Sequence, residues 1–330
     1  MYREESNNIY CYPNSLDGND YLKMNIRLWK EMGLNIKRFQ SVLGKLFTPQ
    51  KWTNDFLVLN FYENSVLGRF PVLRLFRGFL FLLLARLVVK KVIWVRHNYV
   101  PHSLNGVKIG YFNSMCFLLK KLSHETVVHR PAKGIDFTRV VPHPLFTYSH
   151  VENNESDYNT SEGVGFLCFG QVRENKGMCQ LLGCWPLDIK LTIIGACNDN
   201  GLEVKIREII RKRQLNVKWN NMFVSTVSLN DAISQADCIV IPHLDKSMIV
   251  TSATFHAMSL GTNILSNESE FSDWSSELYP FSTSFNYKNL SKKIKNLELF
   301  SKLEVMAYAR DNNSDIKVKE AWASVFDKSE

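Results

Sequence analysis

Arg173 and Lys176 stand three residues apart in GQVRENKG (170–177), directly after an apolar run at 165–169 and before a helical pattern. A guanidinium grips phosphate oxygens bidentately and an ammonium adds a point charge. A helix start adds about half a positive charge more. Gly170 lets the chain turn close to a ligand. Together these residues could bind a diphosphate, although the spacing alone fits a surface loop with two solvated cations equally well. A second segment follows the apolar run 238–242: His243, then Thr251, Ser252 and Ala253 opening another helical pattern. Free amides at such a start bind anions, and Thr or Ser there is also an ordinary helix cap. His97 and Asn98 follow the run 92–95, with His102 close behind. Histidine is the side chain most easily poised as a base near neutral pH, and isolated histidines are also common structural residues. Asp17 and Asp20 follow the first apolar run. They are candidate acceptor-side contacts or bases, and Asp, Asn and Gly favour turns in any case.

In an open parallel sheet, ligands bind beyond the carboxyl ends of the strands, so the elements carrying these residues decide whether they can act together. Short apolar runs at 9–12, 34–39, 56–62, 92–95 and 126–129 read as strands, with helical patterns at 21–32, 69–89 and 107–122 between them. The polar stretch 151–162 has no periodicity and reads as a linker. Alternation restarts with strands at 165–169, 189–194, 217–219, 238–242 and 263–266 and helices at 176–182, 202–213, 228–236 (Ser228 as cap) and 251–260. Residues 285–330 read as mostly helical. Such βα alternation defines an α/β protein with parallel sheets. The expected fold is two Rossmann-like domains: 1–150, then the linker, then 163–310. A last segment, 311–330, carries Trp322 and is expected to pack back on the first domain.

The 330 residues exceed the roughly 250–300 at which a single core stops growing. Apolar residues make up 45% and charged residues 22%, which excludes a collagen, a polar disordered chain and a disulfide knot. Net charge is +8, divided into +12 over residues 1–150 and −4 over 151–330. A basic first half suits an anionic partner. The seven cysteines include no C-x-x-C pair and read as free thiols in a reducing compartment. No metal-ligand spacing occurs. The first residues lack a secretory pattern, and nothing matches the ~20 apolar residues of a membrane span. The expectation is a cytoplasmic protein. Within 69–89, Leu75, Gly78, Leu82, Ala85 and Val89 form an uncharged stripe, while Arg69, Arg74, Arg77 and Arg86 lie off it. This helix is either simply buried or also rests its basic side on an acidic membrane surface.

Four ordered segments carry a resemblance: VIWVRHNYVPH (92–102), VVPHPLF (140–146), FLCFGQVRENKG (166–177) and ADCIVIPHLDKSMIVTSATFHAMSLGTNIL (236–265). Together they resemble bacterial glycosyltransferases of the GT-B fold, closest to the family-4-like enzymes of capsule and exopolysaccharide assembly. The resemblance implies two Rossmann-like domains facing across a cleft and a nucleoside-diphosphate sugar held by the second. It implies transfer to a saccharide acceptor, lipid-linked in many such pathways, on the inner face of the cytoplasmic membrane, with no cofactor or metal. Arg173 and Lys176 match the residues facing the donor diphosphate, and Thr251, Ser252 and Ala253 match the helix start facing it. His97 matches the cleft-lining histidine region, as catalytic base or sugar contact. Gly170, Asn98, His243 and His256 fall among cleft-lining positions, and Asp17, Asp20 and His102 on the acceptor side. Two departures stand out. Met248 and His256 occupy the positions of the Glu-x7-Glu pair of many retaining members, and Ala253 replaces a common glycine. A binding protein that holds a nucleotide sugar or phosphate ligand without turning it over is the alternative. A nucleic-acid binder fits less well, because the basic residues are diluted among Leu, Val and Phe. A nicotinamide enzyme lacks its G-x-G-x-x-G.

Overall fold

The central strands of this protein are short, largely apolar runs such as FLVLN, KVIWV and CIVI with almost no polar alternation, the pattern of parallel strands covered on both faces. The structure, a computed structural model, describes residues 7–14, 19–47, 54–100, 106–146, 165–244 and 247–326. Asp17, His102 and the stretch 151–162 lie outside the described residues. The chain divides into two units. The first comprises Met1–Pro144, Ser247–Val250 and Asn313–Glu330; the second comprises Leu145–Lys246 and Thr251–Asn312.

The first unit contains β1 (Asn8–Tyr12), α1 (Asp20–Glu31), β2 (Asn35–Arg38), β3 (Phe56–Asn60), α2 (Pro71–Val88), β4 (Lys91–Val95), α3 (Gly106–Leu122), β5 (Glu125–Val128) and β6 (Arg139–Val140). Its six strands pair in parallel in the order β2-β1-β3-β4-β5-β6. Successive side chains of a strand point to opposite faces, and the core divides accordingly. Phe56, Val58, Ile93 and Val95 join a cluster with Leu22 and Trp29 of α1, whereas Leu57, Leu59, Val92 and Trp94 join one with α2 and α3. The first cluster is completed by α11 (Asp315–Phe326), which brings Val318, Trp322, Val325 and Phe326. Trp322 is fully buried, stacks on Phe326 with ring centroids 5.3 Å apart, and donates from Nε1 to Asn25 Oδ1 at 2.8 Å. Lys91 Nζ donates to the Val325 carbonyl at 2.8 Å and pairs with buried Glu125 at 3.4 Å.

α2 buries only Gly78, Leu82, Ala85 and Val88. Gly78 leaves room for the Met115 methyl, which a Cβ would meet at 2.5 Å and push aside. Leu75, Phe81 and Leu84 are half-buried, and most of the rest of the helix is exposed, including Phe76 and Leu87 at 62% each.

The second unit contains β7 (Phe166–Phe169), α4 (Met178–Cys184), β8 (Leu191–Ile194), α5 (Asn200–Arg213), β9 (Val217–Asn220), α6 (Thr226–Gln235), β10 (Cys238–Ile241), α7 (Ser252–Ser259), β11 (Asn263–Asn267), α8 (Glu270–Leu278), β12 (Ser282–Phe285), α9 (Leu290–Lys295) and α10 (Lys302–Asn313). Its parallel order is β12-β11-β10-β7-β8-β9, the dinucleotide-fold order with its reversal between β7 and β10. Both units are therefore Rossmann-like, as the strand pattern leads one to expect.

Several local readings differ from the structure. The third strand stops at Asn60, because Phe61 turns left-handed (φ 56) into a 3₁₀ segment, Tyr62–Leu67. A second 3₁₀ segment, Phe39–Phe47, replaces the end of the expected strand 34–39. The cap of α6 is Ser225, whose Oγ accepts from the Ser228 amide at 3.1 Å, so Ser228 lies inside the helix. α8 and β12 carry no clear periodicity in the sequence.

Replacing Trp322 with Ala should cost ~3–5 kcal/mol, since it leaves a large cavity between α1 and α11 and strips Asn25 Oδ1 of its donor. Thermal unfolding should show a midpoint lowered by several degrees. Trp322→Phe, which keeps most of the volume, should fall in between.

Candidate functional site

The reversal in the second sheet leaves a crevice beyond the carboxyl ends of β7 and β10, the place where such sheets bind ligands. A pocket opens there, lined by Phe169, Gly170, Lys176, Met178, His243 and Ala253 among others. Its walls are two loops fastened to each other. The Leu244 amide donates to the Asn175 carbonyl at 3.1 Å, and Lys176 Nζ donates to His243 Nε2 at 2.9 Å. Accepting an ammonium proton requires a neutral imidazole, so His243 is neutral when it holds Lys176. Gly177 (φ 70) lets the loops touch: a Cβ there would lie 2.0 Å from the Pro242 carbonyl oxygen. Two residues with no sequence signal complete the support. Tyr287 donates its hydroxyl to the Pro242 carbonyl at 2.5 Å, and Asn267 Nδ2 donates to the His243 carbonyl at 2.9 Å.

Two helices open here without a side-chain cap, as α9 also does elsewhere in the unit. α5, α6 and α8 each start with a side-chain acceptor on a first-turn amide, from Asp199, Ser225 and Ser269. α4 and α7, which open on the pocket through Met178 and Ala253, have no such cap. Thr251 occupies the cap position of α7 with its side chain making no cap bond. It is buried, while Ser252 is exposed. Uncapped first-turn amides are donors available to an anion. Arg173 is exposed in the same loop and donates to Gln171 Oε1; it is not among the lining residues, and neither are Thr251 and Ser252. His256, on α7, shares its Nε2 with Asn230 Oδ1 at 2.7 Å and packs edge-on against Phe169 at 5.5 Å. It is one ring removed from the pocket.

His97 lies in the first unit, directly beyond β4. It is 6% exposed, stacks on Phe61 with centroids 4.0 Å apart, and donates from Nε2 to Asn60 Oδ1 at 3.2 Å. Two further histidines that sequence reasoning did not single out sit beside it. His129 follows β5 and is 5.2 Å from His97, ring to ring; His143 follows β6 and is 5.3 Å from His129. Tyr21 packs against all three rings. His129 donates from Nδ1 to the Val141 carbonyl at 2.8 Å and accepts at Nε2 from the Tyr21 hydroxyl at 3.0 Å, so its tautomer is set. Desolvation pushes the pKa of His97 and His143 well below the usual value, aided by repulsion from His129, and takes His129 down to about 4. Their shared signal is position, since each lies within three residues of a strand's carboxyl end: His97 past β4, His129 past β5 and His143 past β6.

Of the remaining predicted residues, Asn98 is half-buried and bridges to Met248. Next to it the Ile249 amide donates to the His97 carbonyl at 3.1 Å, and Arg130 Nε donates to the Ile249 carbonyl at 2.6 Å. Asp20 is a first-turn acid of α1 paired with Lys23 at 2.9 Å. Asp17 and His102 lie outside the described residues. Among the described residues, no group of three or more His, Cys, Asp or Glu is placed to hold a metal ion.

No protein-family model matches this chain. No curated protein matches it by sequence. Solved structures do match. The structure of Anabaena Alr3699/HepE in complex with UDP-glucose is 10% identical over 97% of this chain and 98% of that one, with a TM-score of 0.62. A glycosyltransferase from Rickettsia africae is 11% identical over 98% of both chains, with a TM-score of 0.59. AviGT4, a glycosyltransferase of avilamycin A biosynthesis, is 12% identical over 97% of this chain and 96% of that one, with a TM-score of 0.56. At this identity the likeness shows the fold: two Rossmann-like domains of the GT-B class.

The three histidines make stability depend on pH. An unfolded histidine titrates near ~6.5, above the folded values, so below that pH the unfolded chain binds more protons. Stability is fully present above ~6.5 and falls as pH drops towards 4. His129 alone withdraws on the order of 3 kcal/mol once pH passes below about 4. Denaturant unfolding near neutrality and near pH ~5 should show the loss, and His129→Gln should flatten it.

Proposed function

We propose that the chain is a glycosyltransferase that transfers a sugar, a hexose in our reading, from a nucleoside-diphosphate sugar to an acceptor hydroxyl. The observation that carries this is the pocket at the switch point of the second sheet, where Lys176 and the uncapped start of α7 converge. The GT-B neighbours, one of them holding UDP-glucose, support it. The acceptor oxygen attacks the anomeric carbon, the bond to the diphosphate breaks, and the hydroxyl proton leaves. Negative charge grows on the departing diphosphate. Lys176 and the first amides of α7 are fixed positive groups that stabilise it without reorganising, and Arg173, exposed in the same loop, turns from Gln171 to join them. This arrangement needs no metal ion in that role. His97 is desolvated and holds protons poorly, so we assign it a sugar contact through a neutral ring rather than the duty of a strong base.

The acceptor in this reading is a saccharide on a lipid carrier, and the product a capsule, O-antigen or exopolysaccharide unit built at the cytoplasmic membrane. The supporting feature is α2, with its exposed Phe76, Leu80 and Leu87 and its cations Arg74, Arg77 and Arg86. No helix among the described residues is long and apolar enough to cross a membrane, so contact would be peripheral. A binding protein without turnover is the second reading, favoured by His256 and Met248 at positions where acidic residues would be expected. Detectable sugar transfer or donor hydrolysis removes it.

Two measurements test these readings. Thermal unfolding with UDP, GDP, ADP, CMP or NAD should show one nucleoside diphosphate stabilising the wild type, by ~2.7 kcal/mol at about a hundred times its Kd. Arg173→Ala/Lys176→Ala should abolish that shift; a nucleotide response that survives it would sink the assigned site. For the membrane contact, phosphatidylglycerol vesicles should sediment with the protein and phosphatidylcholine vesicles should not. Charge reversal at Arg74, Arg77 and Arg86 together should weaken binding at least roughly tenfold, each cation near an acidic surface contributing ~1 kcal/mol.

A further inference from the structure

Where a buried imidazole carries its hydrogen is set by what its neighbours can accept or donate, and the neighbours of His97 leave a single arrangement. Asn60, the last residue of β3, is fully buried. Its Nδ2 lies 3.3 Å from the Tyr12 carbonyl and 3.9 Å from Cys11 Sγ. A carbonyl only accepts, so the amino end of the amide points there. Oδ1 therefore points at His97 Nε2, 3.2 Å away. Oδ1 also only accepts, so the ring hydrogen is on Nε2.

A second chain of bonds, entering from the other side, gives the same answer. The Val141 carbonyl takes the Nδ1 hydrogen of His129, which leaves His129 Nε2 bare. The Tyr21 hydroxyl, 3.0 Å from that nitrogen, spends its single hydrogen on it. The longer contact of Tyr21 with Asn60 Oδ1, at 3.4 Å, then has no hydrogen of its own. A buried amide oxygen left without a donor is costly, and His97 is the donor that remains.

The ring is held on its other sides as well. Phe61 takes a left-handed backbone (φ 56), which a bulky residue adopts only under strain, and stacks on His97 with centroids 4.0 Å apart. The Ile249 amide donates to the His97 carbonyl at 3.1 Å. The titratable groups packed around the Asn60–His97 pair are Cys11, Tyr21, His129 and His143, and burial keeps each of them uncharged near neutral pH. His97 Nδ1 is left bare. Among the described residues nothing hydrogen-bonds it, and the residue keeps 6% of its surface open. A bare ring nitrogen accepts from a hydroxyl and offers nothing to a carbonyl or carboxylate oxygen.

We infer that Asn60 is a positioning residue that keeps His97 in this tautomer, so that Nδ1 takes a substrate hydroxyl and rejects an oxygen that carries no hydrogen. A site built to pair with a hydroxyl discriminates strongly against a group lacking it. That the hydroxyl belongs to a sugar rests on the glycosyltransferase reading; the tautomer does not.

The position of the hydrogen is read by long-range nitrogen–proton NMR on histidine-labelled protein, with the His97 signals identified by their loss in His97→Gln. In the wild type the hydrogen should lie on Nε2 alone. Asn60→Leu should spread it over both nitrogens, and Asn60→Asp, which keeps an acceptor, should return it to Nε2. Turnover is followed with UDP-glucose, or with GDP-mannose where GDP is the nucleotide that stabilises the wild type. Asn60→Leu should lower kcat/KM at least roughly tenfold and leave the Kd of the free nucleoside diphosphate within about twofold. The inference is overturned if the wild-type hydrogen lies on Nδ1, a result that needs no variant to fold. It is also overturned if Asn60→Leu leaves the tautomer or the turnover unchanged, or if nucleotide affinity falls in step with turnover, which would mean a merely structural loss. A wild type that turns over neither donor sinks the glycosyltransferase reading instead, and the spectra still decide whether Asn60 sets the ring.

Discussion

A parallel strand buried on both faces leaves its polar chemistry only one place to go, its ends. In both units the sheet is covered on each side, and strands such as Phe56–Asn60, Lys91–Val95 and Cys238–Ile241 are buried along their whole length. Every group assigned a chemical role therefore sits within a few residues of a strand's carboxyl end or at the helix start that follows. Lys176 and Ala253 meet at the β7/β10 reversal, and Asn60 and His97 at the ends of β3 and β4. The close approach at Gly177 is what turns adjacent strand ends into a pocket. With any side chain there, the β7 and β10 loops could not touch, and Lys176 could not reach His243.

That constraint also explains what the sequence made legible. Continuous apolar runs mark buried strands, so both sheets and the positions just past them could be found from residue types alone. Lys176, His243 and Ala253, which line the pocket, each follow such a run in the sequence. His129 obeys the same rule but carries no local motif, whereas His143 lies in the segment VVPHPLF; the pairing of β5 with β6 sets the two beside each other. Tyr287 and Asn267 act through contacts more than twenty residues distant in the chain. The two 3₁₀ segments escaped for a different reason. Their apolar residues face the core without a regular period, and each begins where a strand-like run continues in sequence but the backbone turns, as at Phe61.

The chain's charge asymmetry has a structural counterpart. The second unit, although acidic overall, keeps lysine and arginine at its pocket loop. The first unit concentrates cations around α2, where Arg69, Arg74 and Arg77 have no carboxylate partner among the described residues; on α3, Lys120 pairs with Asp136. Unpaired surface cations repel one another and contribute nothing to stability at such density. Six or more large apolar side chains left in solvent on the same helix are a cost of the same kind. Two separate penalties on one helix face are hard to account for by folding and easy to account for by a surface that is both apolar and anionic.

The two candidate sites also answer opposite electrostatic demands. A departing diphosphate needs fixed positive charge that is open enough to admit it, and Lys176 and the start of α7 are partly exposed. The histidines beyond β4, β5 and β6 are enclosed instead. Burial keeps them uncharged; Asn60 and backbone carbonyls take up ring hydrogens, and Tyr21 donates its hydroxyl to His129. A neutral, hydrogen-bonded cluster holds its geometry without drawing anions away from the cationic groups. Were these rings charged near neutral pH, three imidazoliums within about 5 Å of their neighbours would repel one another in a poorly solvated interior. The same desolvation that makes His97 a poor base thus keeps the rim of the first sheet rigid.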